Sequence, residues 1–227
     1  MWRQLIFLHI PKTAGWALHA ALLPIFGEAQ SLRVNDGNDL ARLRGLSPRE
    51  FSRYRYVSGH FTYNDVKLKC RDDALFVSIL RDPVRRLISE FNYIASWTDH
   101  PHHDHFKDLR FSSHVAANAD FIRGLQCDWL SGHRDAERAM VVIRQNYALV
   151  GTVEGYAAFI AALGQLIGHE IPAARSNVTQ GQGLLDIDSR LCGLLLDLGD
   201  EDRRLIDQVA AQPDGVFIGD LTQAVDL

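Results

Sequence analysis

Residues 5–16 read LIFLHIPKTAGW, and this stretch decides the fold. It starts as a run of apolar residues, the pattern of a strand buried on both faces. The run stops at Pro11, and Lys12 lies between that proline and Gly15. The next segment, GWALHAALLPIF (15–26), carries apolar residues along one side, the spacing of a helix. A helix that begins directly after a strand points unbonded N–H groups, and the positive end of its dipole, beyond the sheet edge. Gly15 permits close backbone approach, Thr13 offers a hydroxyl and Lys12 a full charge. The turn therefore reads as an anion site. It has the logic of a P-loop without its letters, because in GxxxxGK[ST] the lysine follows the second glycine. Here Lys12 precedes the only glycine of the loop. Taken alone, the loop is equally consistent with a plain strand–turn–helix connection carrying a solvated lysine.

Working outward, RQLIFLHI (3–10), RYVSGHF (55–61), ALFVSIL (74–80) and YALVGTV (147–153) read as strands. ALFVSIL runs into RDPVRRLISEFNYIASW (81–97), a helix with Asp82 at the N-cap and Pro83 as its first residue. Ser47 followed by Pro48 starts a helix over 47–54, and segments 112–124, 135–145, 154–168, 188–198 and 200–212 have helical apolar spacing. This alternation predicts an α/β fold, a central mostly parallel sheet flanked by helices, with a P-loop-like strand–loop–helix at its start. One domain is expected over 1–227. Two polar stretches, 98–110 and 172–186, are expected to be long loops bordering a site.

Composition bounds the function. Net charge is −4, so there is no nucleic-acid footprint, and any anion site must be a local concentration of positive charge. Cys70, Cys127 and Cys192 show neither zinc spacing nor a disulfide framework. No basic segment followed by an apolar stretch marks a signal peptide, and no apolar run approaches the roughly 18 residues that span a membrane. A soluble, cytoplasmic protein is the expectation.

The second constellation is LRDPVRRLISEF (80–91). Arg81 falls at the C-terminal end of a buried strand, where open α/β sheets bind ligands. Arg85 and Ser89 share a helix face at i, i+4, and Arg86 reads as a surface residue. Arg81 is suited to grip an anion bidentately, with Ser89 adding a hydroxyl. The alternative is an ordinary capped amphipathic helix with surface arginines.

FLHIPKTAG followed by LRDPVxRxxSxFxY resembles the paired signature of PAPS-dependent sulfotransferases, the branch that includes heparan-sulfate 2-O-sulfotransferase and related carbohydrate enzymes. About two dozen residues carry the likeness, with weaker echoes in LQCDWLSG (125–132), LVGTVEGYAAFIAAL (149–163) and SNV (176–178). The resemblance implies that Lys12, Thr13, Ala14, Gly15 and Trp16 hold the phosphosulfate of PAPS, and that Arg81 and Ser89 hold its other phosphate. It implies transfer of a sulfuryl group to a hydroxyl acceptor, a carbohydrate or small glycan-like metabolite, without a metal. The family loop continues with small hydroxyl residues where this chain has Trp16 and Ala17. Arg175 and Asn177 are further candidates to close over the nucleotide.

Sulfuryl transfer needs a base beside the acceptor oxygen, and histidine suits neutral pH. His60, in SGHFTY (58–63), follows a short strand, and the resembling enzymes place their base in a comparable segment. Lys12 and His60 are therefore the expected catalytic pair, with His9 and His19 as weaker candidates and a structural, hydrogen-bonded His60 as the alternative. The loop TDHPHHDHFKD (98–108) is dense in His and Asp but lacks regular ligand spacing, so it is read as a border of the acceptor site before a metal site. Two rival functions remain. A P-loop-type kinase lacks its Walker lysine and a clear Mg²⁺-holding strand end. A non-catalytic nucleotide-binding module is kept open by Trp16 and Ala17.

Overall fold

A computed structural model describes residues 4–172, 183 and 185–219. Six strands form one sheet: β1 (Gln4–Leu8), β2 (Ser31–Val34), β3 (Tyr56–Gly59), β4 (Ala74–Leu80), β5 (Tyr147–Thr152) and β6 (Phe217–Ile218), in the order β2-β3-β1-β4-β5-β6. The first five run parallel and β6 is antiparallel to β5. The expected mixed α/β architecture, a mostly parallel sheet flanked by helices, is what the chain adopts.

The helices are α1 (Gly15–Phe26), α2 (Gly37–Gly45), α3 (Pro48–Phe51), α4 (Tyr63–Val66), α5 (Pro83–Ser96), α6 (His103–Phe106) and α7 (Phe111–Ala117) in the first half. They continue as α8 (Ala119–Ile122), α9 (Leu125–Ser131), α10 (Ala136–Asn146), α11 (Tyr156–Ile167), α12 (Ser189–Leu198) and α13 (Asp200–Ala210). The cap signals act as read. Asp82 accepts from the Arg85 N–H at 2.8 Å, and Ser47 and Glu50 form a capping box. Several elements differ from expectation. β2, β6 and the helices α2, α4, α6 and α9 were not anticipated, and the helix expected over 112–124 breaks at Asn118 into α7 and α8.

Side chains alternate across the strands as the pleat requires. Leu5 and Phe7 face α1 and α11, in a cluster with Leu18, Leu22, Phe159 and Leu163. Ile6 and Leu8 face the other way, toward α9, α10 and α13, with Leu130, Met140, Ile143 and Leu205. A third cluster joins α5, α7 and α12 through Leu87, Phe91, Phe111 and Leu195. Each fully buried side chain of this size stabilises the fold by about 1.5–3 kcal/mol.

The topology positions the site. β1 pairs with β3 on one side and β4 on the other. The chain leaves β1 toward the β3 side, then crosses to β4. The C-terminal end of β1 is thus a topological switch point, the place where ligands of open α/β sheets bind.

Candidate functional site

The loop between β1 and α1 has an unusual backbone. Lys12 (φ 68°) and Ala14 (φ 65°) both adopt the left-handed conformation, without being glycine. Strain of about 1–3 kcal/mol per such residue persists only where surrounding structure enforces it, and it clusters at functional sites. Two contacts enforce it here. The Thr13 hydroxyl, fully buried, donates to the Ile10 carbonyl at 2.8 Å. Arg81 reaches across from the end of β4, and its Nη1 donates to the Lys12 carbonyl at 2.9 Å. Ala14, the N-cap of α1, provides no side-chain acceptor for the first turn, and no acidic residue lies there. The N–H groups at this helix start are therefore available to an anion.

Gly15 is dictated by packing. A Cβ at this position would lie 2.0 Å from Cδ2 of His9. The His9 ring sits against the helix start, 5.5 Å from the Phe7 ring and 4.7 Å from the ring of His60. Removal from water holds its pKa well below 6.5, reinforced by the neighbouring His60, His19, Arg33 and Lys12.

His60 is fixed at the end of β3. Its backbone N–H donates to the Val34 carbonyl at 2.8 Å, and Nδ1 donates to the His9 carbonyl at 2.8 Å. A carbonyl only accepts, so the neutral ring carries its proton on Nδ1 and its lone pair on Nε2. Burial lowers the pKa of His60. The His9 carbonyl and Glu90 push the other way, and Arg33 adds to the lowering. The ring is neutral near pH 7 with Nε2 as its acceptor. Gly59 makes this placement feasible, since its φ is 137° and a Cβ would lie 2.0 Å from the Val34 oxygen.

His19 is committed elsewhere. It lies on the buried face of α1, with Nδ1 2.8 Å from Ser58 Oγ and 3.3 Å from Tyr56 Oη. Burial, with help from Arg33, lowers its pKa to about 4.

Lys12 Nζ lies 4.0 Å from the centre of the Tyr93 ring on α5, a cation–π contact. Burial lowers its pKa, Arg81 lowers it further, and Glu90 opposes both. The Arg81 backbone is clamped by Gln126 of α9, which is fully buried. Gln126 Oε1 accepts from the Arg81 N–H at 3.0 Å and its Nε2 donates to the Arg81 carbonyl at 2.7 Å. Asp202 of α13, also buried, holds α9 by accepting from the Cys127 N–H at 3.0 Å. Ser89 is half-buried on α5, and its hydroxyl makes no hydrogen bond among the described residues. Arg85 is exposed, 3.9 Å from Glu154.

Arg86 corrects the sequence reading. It is 2% exposed rather than on the surface, and Nη1 donates to Glu90 Oε2 at 2.8 Å. Glu90, four residues on, compensates its charge. Trp16 is 57% exposed, with the Arg33 guanidinium 4.2 Å from its ring centre. The indole is therefore not part of the core.

The loop after α5 holds the short α6 within it. Tyr93, Trp97 and His100 form an aromatic group there, with ring centres 5.3–5.8 Å apart. Among the described residues no group of three or more His, Cys, Asp or Glu is arranged to hold a metal. No described helix is long and apolar enough to cross a membrane. Arg175, Asn177 and the SNV segment lie outside the described residues.

Sequence reasoning missed Gln126, Glu90 and Arg33. Gln126 sits inside a segment noted only as a family echo. Glu90 lies between two residues of the quoted motif, and Arg33 is on a strand that was not predicted.

No family model matches the chain, and no curated protein matches it. Among solved structures, it is similar to mouse sulfotransferase SULT7A1 complexed with PAP, at 12% identity and a TM-score of 0.41. The match covers 91% of this chain and 82% of that chain.

Proposed function

We propose that the chain is a PAPS-dependent sulfotransferase, folded as one domain, that acts on the hydroxyl of a carbohydrate or small glycan-like metabolite. One observation carries this reading. Arg81, from the second motif, donates its guanidinium proton to the carbonyl of Lys12 in the first. The two motifs whose pairing resembles the family signature are thus parts of one structure, at the switch point of the sheet.

The residues present fit such a donor. The loop has an uncapped helix start, a glycine that cannot carry a Cβ, and a lysine and an arginine side by side. Lys12, Thr13, Ala14, Gly15 and Trp16 would hold the phosphosulfate end, with contact made mainly by backbone N–H groups, because the Thr13 proton is already given to Ile10. Arg81 and Ser89 would hold the other phosphate. When bound, PAPS supplies an activated sulfuryl group for transfer to a hydroxyl.

Lys12 and the N–H groups of the first turn stabilise negative charge developing at the loop, as preorganised donors do. His60 Nε2 takes the proton of the acceptor hydroxyl. The His9 carbonyl holds Nδ1–H and orients the ring. The 98–108 loop, joined to α5 through Tyr93 and Trp97, borders the acceptor.

The test has two arms. Thermal shift compares adenosine bisphosphate with ATP–Mg²⁺, and radiolabelled PAPS is then screened against acceptors in cell extract. Stabilisation by the bisphosphate together with label transfer is expected. Stabilisation by ATP–Mg²⁺ alone would return the site to a kinase, and bisphosphate binding without transfer to any acceptor would leave a binding module.

A further inference from the structure

We infer that Asp202, on α13, is a positioning residue of the donor site: it caps α9 so that Gln126 holds Arg81 in place beside the anion loop. This deepens the sulfotransferase reading and rests on it.

Arg81 is the first residue after β4, so its backbone groups lie past the ladder that pairs β4 with β5. Gln126 supplies both partners in place of a strand, accepting from the N–H and donating to the carbonyl. With its backbone held on both sides, Arg81 sends its guanidinium to the Lys12 carbonyl. Lys12 itself is held in the left-handed conformation. A hydrogen bond weakens steeply as distance and angle depart from the optimum. The shape of the anion loop therefore depends on where Gln126 stands.

Gln126 lies in the first turn of α9, and the N-cap of that helix is Gly124, which has no side chain to offer. Asp202 does the capping from another helix, 75 residues beyond Cys127. Its carboxylate accepts from the Cys127 N–H at 3.0 Å, and the Gln126 N–H and the Cys127 thiol donate to it as well. Asp202 is 1% exposed, and Gln126 and Cys127 are fully buried. Water cannot take over these bonds, so losing the carboxylate leaves buried donors unpaired. The buried Arg86 guanidinium bears on Asp202 and offsets its charge. A second carboxylate sits beside it on α13. Glu201 accepts from the Ala136 N–H at 2.8 Å and so caps α10. The two acids perform the same structural act, but the hydrogen-bonded chain to Arg81 and Lys12 begins at Asp202.

The experiment uses the full chain and measures adenosine bisphosphate binding by calorimetry, well below the melting temperature of each variant. Asp202→Asn keeps the shape but meets three donors with one oxygen and an NH₂ group. It should weaken bisphosphate binding about tenfold, the scale of a coupling carried through a bonded network. In an Arg81→Ala background the same change should add no further loss, because its route to the ligand is already cut. Glu201→Ala should lower the melting temperature and leave bisphosphate affinity at the wild-type value. Unchanged affinity in Asp202→Asn, an equal further loss on top of Arg81→Ala, or a matching loss in Glu201→Ala overturns the inference and leaves Asp202 as a stabilising cap. If Asp202→Asn does not fold, hydrogen exchange on wild type decides. Coupling between two sites is reciprocal, so the bisphosphate should slow exchange of the Gln126 and Cys127 amides more than that of Ala136. Equal slowing overturns the inference. Failure of wild type to bind the bisphosphate at all overturns the sulfotransferase reading instead.

Discussion

At the scale of single residues, the histidines separate by their hydrogen bonds. His60 alone has Nδ1 on a carbonyl at a strand end with Nε2 left as acceptor. His60→Ala should lower label transfer by ~10²–10⁴ while bisphosphate binding survives. A base works deprotonated, and burial lowers its pKa below the ordinary 6.5. The wild-type kcat/KM should therefore rise with pH through a midpoint below that value and be flat near neutrality. Lys12→Ala should cost ~10²–10³ in kcat, the scale of one preorganised donor, in the same radiolabel assay. His19 gives a stability signature instead. The folded protein keeps it neutral down to about 4, whereas the unfolded chain takes up a proton near 6.5. Below that pH the unfolded state binds more protons, so stability falls as pH drops toward 4. His19→Gln should make the melting temperature fall less steeply over this window, with His9 and His60 supplying the slope that remains.

At the scale of elements, the ends of β3 and β4 set the site. Gly59→Ala forces a Cβ against the Val34 oxygen at a φ that disfavours it, and should destabilise by at least ~1–3 kcal/mol in urea denaturation. Gln126→Leu leaves both polar groups of the Arg81 backbone without their partner. Loss of ~1–3 kcal/mol is expected by the same measurement, with weaker bisphosphate binding by calorimetry. Sequence showed β1, β4 and α5 because their signals are local, in continuous apolar runs and an Asp-Pro helix start. It hid β2, whose four residues include a serine and an arginine and which acquires its identity only by pairing with β3. It also misplaced Arg86. An arginine next to another arginine looks solvated until the fold buries it in a pair with Glu90. Lys12, Arg81 and His60 stood out in sequence because they follow visible strands and because the family resemblance falls on those segments. Gln126 could not, because its function lies in a contact 45 residues away.

At the scale of the molecule, a chain with net charge −4 must attract an anion by local field alone. Lys12, Arg81 and the start of α1 supply that field, and Glu90 moderates it. Bisphosphate affinity should therefore fall as salt is raised, as expected for partly exposed charges. The central sheet has a further consequence for how the protein fails. Its borders are the four-residue β2 and the two-residue β6, while the long apolar strands β1, β4 and β5 lie inside. Short borders offer little template for intermolecular strand addition. Aggregation therefore requires the interior strands to be uncovered first, so it follows unfolding rather than preceding it.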